Sequence, residues 1–304
     1  MKKLLVICGA TATGKTALAV ECAKRLGGEI ISCDALLVYR GLNIGTAKPT
    51  FEERGGIVHH MIDVVEPNEN FSVSDFERAA LPLVEEISAR GNVPILCGGT
   101  GFYVKSLLFS HGYGNAAADR TVREKYEEIA LREGNARLHA MLRAVDPASA
   151  EKLHENDVKR VVRALEIYEL TGAKKSEQCD EELPRCEYEA FCFDYPRQTL
   201  YQRIDARVDQ MLAAGLTEEV EGLLARGVGE NAQCMQGIGY KEVVGFLKNE
   251  YSHSTMSDII KQNTRRYAKR QLTFFKKLPN LHMLQPQAIQ DAAREVINIY
   301  DGDR

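Results

Sequence analysis

No run of about 18 apolar residues occurs anywhere in the 304 residues, so no segment reads as a membrane-spanning helix. The opening MKKLLVICGATA has a charged tip and an apolar run, but the run is too short for a secretory leader and passes straight into GKT. It reads as a first β-strand, and the protein is expected in the cytoplasm. The eight cysteines (Cys8, Cys22, Cys33, Cys97, Cys179, Cys186, Cys192, Cys234) contain no CxxC pair. Structural zinc sites pair their ligands two to four residues apart, so Cys179, Cys186, Cys192 and the nearby His154 do not make one. The cysteines read as reduced packing residues. Nor is there a basic excess: the net charge is −4, so any face for a nucleic acid must be local. No internal repeat or low-complexity tract interrupts the chain. What remains, 44% hydrophobic and 27% charged residues, is the composition of an ordinary globular protein.

The length predicts one large core with a smaller insertion or appended domain. Lys3 to Cys8 is a continuous apolar run, as in a strand buried on both faces of a parallel sheet. Helical spacing follows in Ala17, Val20, Ala23 and Leu26. A second strand, residues 29–33, ends at Asp34, and a third, Val93 to Cys97, ends in the turn GGTG at Gly98 to Gly101. Phe76 to Arg90 between them reads as an amphipathic helix. Alternating strands and helices predict an α/β fold, a parallel sheet flanked by helices with its ligand site at the carboxyl ends of the strands. Asp34, Thr100 and the loop at Gly9 would share that rim. From about Asn115 the pattern is charged and helical, over Arg120 to Arg143 and Ser149 to Leu170, which predicts an inserted all-helical subdomain over residues 115–193. The core would then comprise residues 1–114 and 194–304. Tyr188 to Tyr195 is strand-like, and helices are predicted from Leu200, from Thr217 and over Met256 to Leu278.

GATATGKT, residues 9–16, fits GxxxxGK[ST] between a buried strand and a helix N-terminus, the context that gives the motif its meaning. Gly9 and Gly14 let the backbone of Ala10, Thr11, Ala12 and Thr13 turn its N–H groups inward. Lys15 neutralises phosphate oxygens, and the Thr16 hydroxyl suits Mg²⁺. A phosphate loop alone does not say which phosphate. A nucleotide kinase or ATPase would have a later apolar strand ending in a carboxylate, whereas PILCGGTG ends in glycines and a threonine.

With the following segments the chain resembles the tRNA dimethylallyltransferase (tRNA isopentenyltransferase) family, bacterial type. Those segments are DALLVYRGLNIGTAKP from Asp34, HHMID from His59, GGTGFY from Gly98, NDVKRVVRALEIYELTG from Asn156, LYQRIDARVDQML from Leu200, GIGYKE from Gly237 and TRRYAKRQLTFF from Thr264. The resemblance covers nearly the whole chain in order. It implies a P-loop NTPase-like fold and transfer of a dimethylallyl group from dimethylallyl diphosphate to N6 of the adenine at tRNA position 37. Asp34 would be the base, Thr100 would contact the reacting site or the donor, and Arg207 would bind the diphosphate. Mg²⁺ would sit with the diphosphate at Thr16, and the enzyme would act as a monomer. His59 and His60 read as structural, with no metal implied.

The target adenine is stacked in the anticodon loop, so it must be drawn into a pocket at a cost of a few kcal/mol that other contacts offset. Lys159, Arg160 and Arg163 share a helical face, and Arg265, Arg266, Lys269 and Arg270 form a second stripe, with Lys276 and Lys277 beyond. Taken alone, each would be an ordinary solvated face. The resemblance implies tRNA contacts at Asp34, Ala35, Leu36, Leu37, Thr100, Arg123, Lys159, Arg160, Val161, Val162, Arg163, Arg265, Lys269 and Arg270. The chain departs from the family at Leu37, where glutamine is usual, at Ala35 (serine), Ala10 (proline) and Phe274 (often tryptophan). At Leu37 an amide that could hydrogen-bond RNA has become apolar.

Overall fold

The computed structural model describes residues 2–110, 119–177 and 183–302. In chain order the elements are β1 (Leu4–Cys8), α1 (Lys15–Leu26), β2 (Gly28–Ser32), α2 (Phe51–Arg54), β3 (His59–His60), α3 (Val73–Ala89), β4 (Val93–Gly98) and α4 (Gly101–Leu108). Next come β5 (Phe109–Ser110), α5 (Arg120–Glu133), α6 (Asn135–Val145), α7 (Pro147–Lys152), α8 (Val158–Thr171) and β6 (Leu183–Pro184). The chain ends with β7 (Tyr188–Phe193), α9 (Arg197–Ala213), α10 (Leu216–Ala225), α11 (Tyr240–Leu247), α12 (His253–Phe275), β8 (Leu281–Leu284) and α13 (Ile289–Asp301).

Six strands form one parallel sheet in the order β3-β2-β4-β1-β7-β8. All five residues of β1 are buried, as its unbroken apolar sequence requires of a central strand. One core joins Leu5 and Ile7 of β1 to Leu18 and Ala19 of α1, Phe191 of β7 and Ala292 and Val296 of α13. Elsewhere in this unit the Phe76 ring of α3 stacks on Tyr103 of α4, centroids 4.0 Å apart. Register fixes the ligand rim: Cys8 lies opposite Gly98 and Ser32 opposite Cys97. The loops that leave β1, β2 and β4 therefore emerge side by side.

Residues 1–108 and 184–304 form one compact unit, and residues 109–183 form a second. The expected division at 193/194 is corrected, because Tyr188–Phe193 pairs with β1 and belongs to the sheet. The expected boundary at 114/115 lies outside the described residues, and the contact division falls earlier, at 108/109. The helical stretches of the second unit are also more broken than their charge pattern predicts. Gly134 separates α5 from α6, and Pro147 starts α7, where its missing N–H leaves no helical bond unmade. Tyr126, Leu138, Leu142, Val161, Val162 and Leu165 form the core of this unit.

Candidate functional site

Gly9 begins the phosphate loop at φ +118°, and a Cβ there would stand 2.4 Å from the Cys192 sulfur. Both the conformation and the close approach exclude a side chain. Cys192 is thus a packing residue of β7; Cys179 lies outside the described residues. Gly14 caps α1 in the left-handed region. Ala12 is also left-handed at φ +61°, a strained conformation for a residue with a Cβ, and Arg203 of α9 donates to its carbonyl from Nε at 2.8 Å. Within the loop the Thr13 hydroxyl and the Lys15 ammonium both donate to the Ala10 carbonyl. Burial pushes the pKa of Lys15 below the ordinary lysine value, and Arg207 lowers it further, while Asp34 favours the charge. Thr16 is exposed on the first turn of α1.

Asp34 follows β2. Its Oδ1 accepts from the N–H groups of Leu36 (2.9 Å) and Leu37 (3.3 Å), so one carboxylate oxygen caps the turn. Oδ2 makes no hydrogen bond among the described residues. The Thr100 backbone N–H donates to the Cys33 carbonyl at 3.0 Å, and the Thr100 hydroxyl accepts from Ala35 N at 3.0 Å. Thr100 therefore brackets Asp34 on both sides. Arg207 of α9 is half-buried and makes no hydrogen bond or ion pair among the described residues. Burial lowers its pKa, and the Asp34 charge works against that shift. A partly buried ammonium at the end of a phosphate loop and a partly buried guanidinium with no partner among the described residues suit a polyanion, and Asp34 keeps one carboxylate oxygen uncommitted among the described residues.

An IPP transferase family model matches residues 37–278. The chain is 43% identical to the tRNA dimethylallyltransferase of Pelotomaculum thermopropionicum, over 98% of this chain and 96% of that one. It is 48% identical to tRNA dimethylallyltransferase 1 of Trichlorobacter lovleyi, over 91% and 92%. The structure of the full-length tRNA isopentenylpyrophosphate transferase of Bacillus halodurans superposes with a TM-score of 0.76 at 40% identity, covering 100% of this chain and 97% of that one. A eukaryotic dimethylallyltransferase acting on tRNA gives 0.80 at 30% identity, covering 97% and 75%. This chain belongs to the IPP transferase family. It is a transferase of the prenyltransferase type, on a P-loop-like fold.

In this family member not every residue expected to touch RNA is placed to do so. Val161 and Val162 are 0% and 2% exposed in the helical core, a correction that follows from the helical period: in α8 they turn inward between Arg160 and Arg163. Arg123 and Arg163 both bind the fully buried Glu166, at 2.8 and 2.6 Å. Burial opposes ionisation of Glu166, but the two guanidiniums and the Asp119 N–H outweigh it and hold the carboxyl below its ordinary value. These two arginines thus have structural work within the unit. Arg160 pairs with Asp157, and Lys159 is exposed with no ion pair among the described residues. On α12, Arg265 is tied to Asp205 of α9, whereas Arg266, Lys269 and Arg270 are exposed. Leu36 packs against Gly237, where a Cβ would lie 2.6 Å from its Cδ1. His60 donates from Nε2 to the buried Glu29 carboxylate, which also accepts from Arg90 and Asn92, and the His59 ring donates to the Ile57 carbonyl.

Four contributors escaped the sequence reading. Arg203 holds the phosphate loop from one turn before Arg207. Gln271 joins two loops of the rim, and one turn earlier burial, with the Asp34 charge adding to it, pushes the Tyr267 phenol up to about 12. Glu219 accepts from the N–H groups of Asn43, Ile44 and Gly45 and from the Tyr240 hydroxyl, which fixes the LNIG turn. Arg203 had a usable signal, its i, i+4 relation to Arg207.

Proposed function

We infer that the chain transfers a dimethylallyl group from dimethylallyl diphosphate to N6 of the adenine at position 37 of tRNA, next to the anticodon, and releases diphosphate. The observation that carries this reading is the single rim on which the strand register sets the phosphate loop, Asp34 and the GGTG turn side by side, Cys8 lying opposite Gly98 and Ser32 opposite Cys97. The phosphate-loop amides, Lys15 and Arg207 hold the diphosphate. As the bond from C1 of the donor to its diphosphate oxygen breaks, the electron pair leaves on that oxygen, where these cations stabilise it. The N6 lone pair forms the new bond to C1, and the N6 proton passes to Oδ2 of Asp34. Thr100 supports this transfer through the turn that carries Asp34.

Mg²⁺ fits here as a partner of the diphosphate. Thr16 offers an exposed hydroxyl, and among the described residues no cluster of three or more His, Cys, Asp or Glu could hold a metal. Such an ion would rest on Thr16, water and phosphate oxygens, and would add positive charge at the leaving group. The tRNA anticodon stem-loop is the acceptor, gripped by Lys159 and Arg160 on α8 and by Lys269 and Arg270 on α12. Residues 34–37 and Thr100 stand against the target base. One monomer per tRNA is the assembly proposed, in the cytoplasm with its substrate. No helix among the described residues is long and apolar enough to cross a membrane.

Radiolabelled dimethylallyl diphosphate with Mg²⁺ and either tRNA, AMP or ATP tests the reading. Label should enter tRNA alone. Label in AMP but not tRNA, or ATP consumption without transfer, would sink it.

A further inference from the structure

The hydrogen-bonded ladder between β1 and β4 stops at Cys8 and Gly98. Beyond that point the two chains diverge, one into the phosphate loop and the other into the GGTG turn. Gln271 reaches across from α12 to both. Its Oε1 accepts from Thr11 N at 3.0 Å, and its Nε2 donates to the Gly99 carbonyl at 2.9 Å. Gln271 is 6% exposed. Its orientation is fixed by its partners, since an N–H can only donate and a carbonyl only accept. Gly99 makes the approach possible, because a Cβ there would lie 2.1 Å from Nε2.

We propose that Gln271 is a positioning residue for prenyl transfer: one amide sets the distance between the leaving diphosphate and the base. This rests on the transferase reading of the site. The path is continuous. Thr11 belongs to the loop that holds the diphosphate, Gly99 is bonded to Thr100, and Thr100 bonds Cys33 and Ala35 on either side of Asp34. In-line displacement needs the donor carbon, the attacking nitrogen and the base in register, and a displacement near 1 Å lowers a rate by about 10²-fold. Neither substrate has to touch Gln271 for its loss to be felt.

The chemistry of the position is narrow, because it needs one acceptor and one donor on the same planar group. Methionine would fill the space and offer neither; glutamate would offer the acceptor without the donor. The test is steady-state transfer to tRNA by wild type, Gln271→Met and Gln271→Glu, with active sites counted by tight binding of a non-hydrolysable dimethylallyl thiodiphosphate. Both variants are expected to lose at least tenfold in kcat per counted site, with KM for donor and tRNA within threefold of wild type. Wild-type kcat in Gln271→Met would make Gln271 a space-filler and overturn the proposal. A loss that vanishes once sites are counted would reduce it to a folding contact, and a loss confined to KM for the donor would make it a binding residue; both also overturn it. If the wild-type enzyme fails to prenylate tRNA, the transferase reading falls first and this proposal with it. Should Gln271→Met not accumulate, Gln271→Glu alone decides by the same criteria.

Discussion

Asp34 caps its own turn, and in the proposed reaction the same carboxylate takes the N6 proton. Its Oδ1 is held by Leu36 and Leu37 N–H groups, which aims the carboxylate and leaves Oδ2 for a proton. Asp34→Asn keeps the acceptor that caps the turn and removes the base. It should lower kcat for transfer by about 10²- to 10⁴-fold, with the tRNA dissociation constant within threefold of wild type. Transfer kinetics and filter binding check both halves. Arg207→Gln should raise KM for the donor and leave tRNA binding unchanged, because the half-buried guanidinium has no acceptor among the described residues to lose. Asp34, Thr100 and residues 9–16 were legible because each sits in a contiguous motif at the end of a strand. Gln271 and Tyr267 were not, since each is one polar residue in a 23-residue helix whose exposed cations dominate its pattern. Their role exists only once the fold brings α12 against loops more than 160 positions earlier.

Among the elements, the strands and long helices of the core follow directly from their apolar spacing, whereas the insertion shows what charge patterning conceals. Four helices occupy the two predicted stretches, because Gly134, Pro147 and the capping residue Asp146 punctuate them. Asp146 is 1% exposed and accepts from Ser149 N at the start of α7 and from both the N–H and the hydroxyl of Ser176. Burial works against its ionisation, but these hydrogen bonds prevail and bring its carboxyl from 3.8 down to about 2. A carboxyl depressed in the folded state contributes stability that is fully present above its unfolded value and is lost as pH falls through the folded one. Asp146→Asn should therefore cost about 2 kcal/mol at pH 7, and the difference should close between about pH 4 and pH 2. Urea titrations of both proteins across that range measure it. The same helical geometry explains Val161 and Val162: a motif read as a string of neighbours is split by α8 into an inward and an outward face.

Over the molecule as a whole, the net charge is −4, and local pairing reaches into the basic stripes themselves: Arg163 shares Glu166 with Arg123 and Arg265 is held by Asp205, as Lys261 is by Asp209. The proposed grip on tRNA rests on the cations that stay exposed. Lys159→Ala with Arg160→Ala should weaken tRNA binding and flatten the dependence of log K on log salt by about one unit or more. Lys159 should account for the larger share, since Arg160 already has Asp157. Donor binding should not change; an unaltered salt slope would mean this stripe faces only solvent. The change of texture near Asn115 led to an expected boundary that lies outside the described residues, and the contact division falls at 108/109. The return boundary was not legible, because Leu183 to Cys186 carries too little pattern to mark where the sheet resumes before β7.

The phosphate loop at Gly9 to Thr16 is read here as the seat of a leaving group, with Asp34 as the base that frees adenine N6. Digesting tRNA after reaction with wild type or Asp34→Asn, and locating the added group by mass spectrometry, tests that claim most directly. One dimethylallyl unit should appear on the adenosine at position 37 with wild type and be absent with the variant over the same time. Modification at another nucleotide, or equal modification of position 37 by Asp34→Asn, would contradict the account.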